Sequence, residues 1–244
     1  MGFTAKLQAA LRRAGVAATV SNGGVAGDTA AQARARLRWG LRGLGATPDL
    51  VIVELGANDM LRGLPVPQAK ANLDAILTEL HRRRIPVLLA GMRAAPNLGP
   101  DYVAAFNGMY PALAKVHGVA RYPFFLDGVA GDRTLLQADG LHPNARGVEI
   151  VVGRILPSVR LALRGWAIEL KTSSAASAAL AERRTGSRRY ASIPDYAGRF
   201  ADRPSDFVGC SGAAQSMIMV LHGRRHPDPG GGSVSLTLAH RIVV

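Results

Sequence analysis

The sequence predicts an α/β fold built on a mostly parallel sheet with helices covering both faces. Two observations carry this. Strand-like and helix-like segments alternate singly through residues 1–164, as crossover connections require. The segment 50–55, LVIVEL, is a near-continuous apolar run bounded by Asp49 and Gly56, the pattern of a strand buried on both faces.

Taken in order, residues 3–14 place Phe3, Leu7, Ala10 and Leu11 on one helical face, and Gly15 can end that helix. Residues 16–20 read as a short strand. Thr29 and Gln32 form a capping box that opens a helix running to Leu41. Residues 67–84 make an amphipathic helix through Leu73, Ile76, Leu77 and Leu80, with Arg82, Arg83 and Arg84 at its negative end. A strand follows over 86–92, a helix over 101–117, a short strand within 119–126 and a last helix over 145–163.

After Trp166 the rhythm stops. Residues 166–244 are rich in Arg, Ser and Gly, and they are read as an irregular tail separate from a first domain at 1–165. An apolar stretch at 216–221 and an alternating one at 233–239 are its only ordered-looking pieces.

The chain has 244 residues, 30 Lys and Arg against 17 Asp and Glu, and a formal charge of +13. Nearly all of the cations are arginine, the mark of a GC-rich coding sequence, so the charge is discounted as a functional signal. Paired arginines at 183–184, 188–189 and 224–225 lack interleaved aromatics, and no nucleic-acid partner is expected. A single cysteine, Cys210, excludes an intrachain disulfide and a multi-cysteine metal site. His222 and His226 have ligand-like spacing, but with arginines between them and no cysteine or carboxylate cluster nearby no metal is expected. No apolar run reaches the roughly 18 residues that span a bilayer. The first fifteen residues are too polar for a signal peptide.

Three loops carry the chemistry, each expected at the carboxyl end of a strand, where parallel sheets collect ligands. In 21–29 a glycine precedes a helix start and can present a backbone N–H. In 56–59, Asn58 offers a side-chain amide. In 139–144, Asp139 stands three residues before His142, close enough to orient the imidazole and leave its other nitrogen as a base. Each has a bland alternative: a turn-forming Asn, an ordinary helix start, a chance Asp-x-x-His. Asp59 is read as loop support. Trp39, Trp166, Phe124 and Phe125 are read as core.

Five segments together, NGGVAGDT (22–29), VIVELGANDMLRG (51–63), PNLGPDYVAAFNGMYPALA (96–114), YPFFLDGV (122–129) and DGLHPN (139–144), resemble the SGNH hydrolase family of GDSL-type esterases. The likeness is greatest to its bacterial arylesterase, thioesterase and lysophospholipase branch, and it covers about residues 3–163. It implies a flavodoxin-like three-layer α/β/α sandwich and hydrolysis of small acyl esters or thioesters without metal or organic cofactor. It further implies Gly27 and Asn58 as oxyanion donors, His142 as general base, Asp139 as its orienting carboxylate, and a loop at 94–100 bordering the acyl pocket.

The family's Gly-Asp-Ser-Leu segment, which bears the nucleophilic serine and the first strand, has no counterpart here. That strand is therefore expected to be missing, and the chain to lack the usual nucleophile and to be impaired or inert as an enzyme. The alternative is a truncated remnant that at most binds a ligand or partner. Residues 234–239 are considered as a strand that could fill the gap. Ser211, within Gly209-Cys-Ser-Gly-Ala213, resembles a nucleophile elbow but departs from it at Ala213, and a small-residue turn is the favoured reading. Relatives are often exported. Neither location nor oligomeric state follows from this sequence.

Overall fold

A computed structural model of the chain describes residues 2–180, 215–224 and 239–243, with side chains to residue 165. Six helices occur among them: α1 (Phe3–Arg13), α2 (Ala30–Arg42), α3 (Ala57–Leu61), α4 (Val66–Arg82), α5 (Pro100–His117) and α6 (Ala145–Leu180). The strands are β1 (Ala17–Asn22), β2 (Val25–Ala26), β3 (Leu50–Glu54), β4 (Val87–Ala90), β5 (Ala120–Tyr122), β6 (Gln215–Arg224) and β7 (Ala239–Val243).

The sheet is parallel through β3, β4 and β5, with Ile52 opposite Leu88 and Leu89 opposite Arg121. All of β3 is buried, Glu54 included, as its near-continuous apolar run leads one to expect of a strand covered on both faces. Helix α1 packs on α6, while α2, α4 and α5 pack side by side, so the sheet lies between two helical layers. One layer is fixed by Leu7, Leu11, Ile155 and Val159, all fully buried, and by the edge-on contact of Phe3 with Phe125. The other rests on Leu73, Ile76, Leu77 and Leu80 of α4 with Phe106 and Tyr110 of α5. No helix among the described residues is long and apolar enough to cross a membrane.

The tail departs from expectation in two ways. Helix α6 does not stop near Leu163 but runs on to Leu180, through an alanine-rich stretch whose composition favours helix. The sheet also receives strands from the tail. Strand β6 runs antiparallel to both β1 and β3, with Val20 opposite Leu221 and Val51 opposite Val220. Strand β7 runs parallel to β1, with Thr19 opposite Arg241. These strands take the position between β1 and β3, where ladder N–H and C=O groups would otherwise be unpaired. The tail is therefore not irregular throughout, and β6 makes the sheet mixed. The segment first considered for that role, 234–239, reaches the described residues only at Ala239, the start of β7.

Trp39 corrects a second expectation. It is 75% exposed, because the buried stripe of α2 is Ala30, Ala33, Leu37 and Leu41, and Trp39 falls opposite it. Phe124 and Phe125 are core as expected. Trp166 lies outside the residues with described side chains.

At the amino-terminal end of the sheet, Glu79 of α4 accepts from Arg82 Nε at 3.1 Å and Nη2 at 2.9 Å, and from Arg83 Nε at 2.7 Å. The hydrogen bonds from Arg82, then Arg83, hold its carboxyl at about 2, below the ordinary 4.5. A carboxyl lowered in the folded state adds stability above its unfolded value, and that stability is lost as pH falls through the folded one. Glu79→Gln is expected to lower the melting temperature at pH 7 and to match the unaltered chain near pH 2. Calorimetry across that range checks this, and a deficit that persists at pH 2 would mean the charge is not the cause.

Candidate active site

The loop between β5 and α6 builds the first part of the site. Leu136 and Pro143 form an antiparallel bridge, and Gln137 N–H donates to the His142 carbonyl at 2.7 Å. Asp139-Gly140 turns this small hairpin, with Gly140 in the left-handed region at φ +70°, which an Asp-Gly pair tolerates best. Asn144 closes it: its Nδ2 donates to the Thr134 and Leu136 carbonyls, and its Oδ1 caps α6 by accepting from Arg146 N and Gly147 N.

The hairpin puts Asp139 Oδ2 2.5 Å from His142 Nδ1. The other oxygen, Oδ1, accepts from the backbone N–H of Leu141 at 2.9 Å and of His142 at 3.0 Å. The imidazole contact, then these two amides, hold the Asp139 carboxyl down at about 2. It stays ionised at any working pH, which favours the tautomer with hydrogen on Nδ1. The lone pair is then on Nε2, which is buried and has no hydrogen-bond partner among the described residues.

His142 lines a cavity of about 330 Å³. Its wall is mixed: Phe3 of α1, Met92, Phe125, Leu126 and Leu141 are apolar, Gln137 and Asn144 are polar, and Glu54 comes from the carboxyl end of β3 and Ala57 from the start of α3. The loop 94–100, expected to border the pocket, contributes no residue to this wall; Met92, two residues before it, does.

The second part of the site lies where the loop after β2 meets α3. Gly27 has φ +84°, a conformation that favours glycine. Asn58 Nδ2 donates to the Asp28 carbonyl at 3.0 Å, so the two expected oxyanion loops are in direct contact. Asp59 Oδ2 accepts from Ala30 N–H at 2.8 Å at the start of α2, and burial raises its pKa despite that bond. Arg36 joins the loop from α2, with Nε 2.5 Å from Asp28 Oδ2 and Nη1 donating to the Gly23 carbonyl. Arg62 Nη2 donates to the Gly27 carbonyl at 2.6 Å.

The structure thus joins Asn58 to Asp28, the neighbour of Gly27, by a hydrogen bond, and Ala57, the neighbour of Asn58, to His142 by a shared cavity. Gly27 and Asn58 are not themselves in the cavity wall. Ser211 and His226 fall outside the described residues. Asp59 has the supporting role expected of it. Glu54, Arg36 and Arg62 were not singled out from sequence. Glu54 carried a signal, a carboxylate inside an otherwise apolar strand. The arginines carried none, since Arg62 ends on a backbone carbonyl 35 residues away and Arg36 divides between the Asp28 carboxylate and the Gly23 carbonyl.

Residues 2–150 match the family described as GDSL-like lipase/acylhydrolase. Esterase TesA of Pseudomonas aeruginosa is 37% identical over 159 residues, 65% of this chain and 78% of the relative. Thioesterase 1/protease 1/lysophospholipase L1 of Escherichia coli is 39% identical over 126 residues, 52% of this chain and 60% of its own length. Among solved structures, the SGNH-hydrolase family esterase AlinE4 superposes with a TM-score of 0.56 at 48% identity, over 66% of this chain and 86% of that one. The relatives are ester hydrolases by name, and the family match over residues 2–150 includes all three loops. This chain belongs to the GDSL-like lipase/acylhydrolase family.

Proposed function

We propose that this chain hydrolyses small carboxylic esters and thioesters, with His142 as general base. The observation that carries the proposal is the Asp139–His142 pair, whose Nε2 is buried without a partner among the described residues in a histidine that lines the cavity. Asp139 holds the imidazole tautomer and stabilises the imidazolium formed when Nε2 takes a proton. Gly27 N–H and the Asn58 amide stabilise the tetrahedral oxyanion, a contribution of roughly 3 kcal/mol per donor. The apolar part of the wall, Phe3, Met92, Phe125 and Leu126, takes the acyl chain. A thioester is included because the Escherichia coli relative is named a thioesterase. No metal or organic cofactor enters this chemistry.

The group that Nε2 deprotonates is a serine hydroxyl in an acyl-enzyme route or a water molecule in a direct one. A fluorophosphonate labels only an activated serine and separates the two. Turnover of p-nitrophenyl acetate with labelling identifies the serine route, and peptide mapping then tests Ser211. Turnover without labelling identifies the direct route. Neither turnover nor labelling would overturn the proposal and leave a non-catalytic ligand-binding protein.

A further inference from the structure

A second cavity, of about 630 Å³, opens at the amino-terminal end of the sheet. Its wall joins the last turn of α2 and the loop 43–48, which leads into β3, to the end of α4 and Ile85, which leads into β4. Glu54, in the wall of the His142 cavity, stands at the other end of β3. The two cavities therefore lie at opposite ends of the sheet.

Three arginines line this second cavity, Arg42, Arg82 and Arg83, and no carboxylate does. Asp49, beside Pro48, is outside the wall. Leu41, Pro48 and Ile85, all buried, supply its apolar part. Cations in the last turn of a helix are ordinary, because they oppose the negative end of the dipole. That accounts for Arg42 on α2 and Arg82 on α4 taken singly. It does not account for their convergence from two helices on one concavity, where like charges repel.

Glu79 offsets only part of that charge, being shared among Arg38, Arg82 and Arg83. Its bonds engage Nε and Nη2 of Arg82 and Nε of Arg83, and they leave Nη1 of Arg82 and both Nη groups of Arg83 outside them. The carboxylate thus holds two guanidiniums in place without using all their donors. Guanidinium forks match the oxygens of a phosphate, to which they give two parallel hydrogen bonds. The volume is larger than a bare phosphate fills and lies in the range of small-molecule sites.

We propose that this cavity binds an organic phosphate, whose phosphoryl oxygens are taken by Arg42, Arg82 and Arg83 and whose carbon skeleton rests on Leu41, Pro48 and Ile85. The site is separate from ester hydrolysis and stands whether or not the chain turns over an ester.

Calorimetric titration of the full chain with adenosine 5′-diphosphate at fixed ionic strength tests this, with adenosine and sulfate as controls. Saturable binding of the diphosphate is expected, with both controls weaker by about tenfold or more. In glycine-labelled protein the amide resonance of Gly45, in the cavity wall, should move during the titration, while that of Gly140, in the His142 hairpin, stays put. Arg42→Gln should weaken binding about tenfold, the loss of one charged hydrogen bond. Arg38→Gln removes the same charge from the same cluster but outside the wall, and should weaken it about twofold at most. Absence of binding, sulfate held as tightly as the diphosphate, or an unmoved Gly45 resonance overturns the proposal. So does an Arg38→Gln loss equal to that of Arg42→Gln, which would mean a diffuse positive field in place of a site. The Gly45 resonance is read on the unaltered chain, so the test holds even where a variant fails to fold.

Discussion

Replacing His142 by alanine is expected to lower kcat/KM for p-nitrophenyl acetate by about 10³-fold or more. The imidazole is held on one side by the Asp139 carboxylate and lines the cavity, so its removal takes away the base whose tautomer that carboxylate fixes. The hairpin that carries it does not depend on its side chain. The Gln137 N–H to His142 carbonyl bond and the Asn144 bonds are to backbone, and they survive the change. The variant should therefore melt close to the unaltered chain while losing turnover, and a parallel melting curve separates lost chemistry from lost fold. Activity within tenfold of the starting value would remove His142 from the mechanism.

Asn58→Ala is expected to lower kcat by about 10² to 10³-fold, the cost of one oxyanion donor. KM should change little, because the developing charge is absent from the ground state. This variant also loses the bond to the Asp28 carbonyl, and Asn58 is buried, so stability falls by about 1–3 kcal/mol as well. Assays well below the melting transition keep the two effects apart. If KM rises and kcat holds, Asn58 is a substrate-binding group and the oxyanion assignment fails.

Much of this architecture was legible in the sequence because the determining interactions are local. The capping box at Thr29 and Gln32 forms as read, with Gln32 N–H on the Thr29 hydroxyl and Thr29 N–H on the Gln32 side chain. The apolar run of β3 is a strand within a residue of its predicted bounds at either end. Asp139 and His142 are three residues apart, so one hairpin suffices to pair them.

What escaped is non-local or lacks a period. Helix α3 is only five residues long, too short to show a helical repeat. Strands β6 and β7 are defined by partners some two hundred residues away, and no pattern in the tail names those partners. Trp39 was misread because residue type was weighed without the helical face; the stripe through Leu37 and Leu41 already points it outward. The Arg62 to Gly27 contact spans 35 residues and ends on a carbonyl, a group that every residue carries.

Convergence of two loops on one reacting carbon is the central claim. A crystal of the full chain with a bound alkyl phosphonate, which mimics the tetrahedral intermediate, tests it most directly. The account predicts one phosphonate oxygen within about 2.7–3.1 Å of both Gly27 N and Asn58 Nδ2, with His142 Nε2 on the opposite side of phosphorus. A phosphonate seated away from His142, or with its oxygens turned from Gly27 and Asn58, would contradict it.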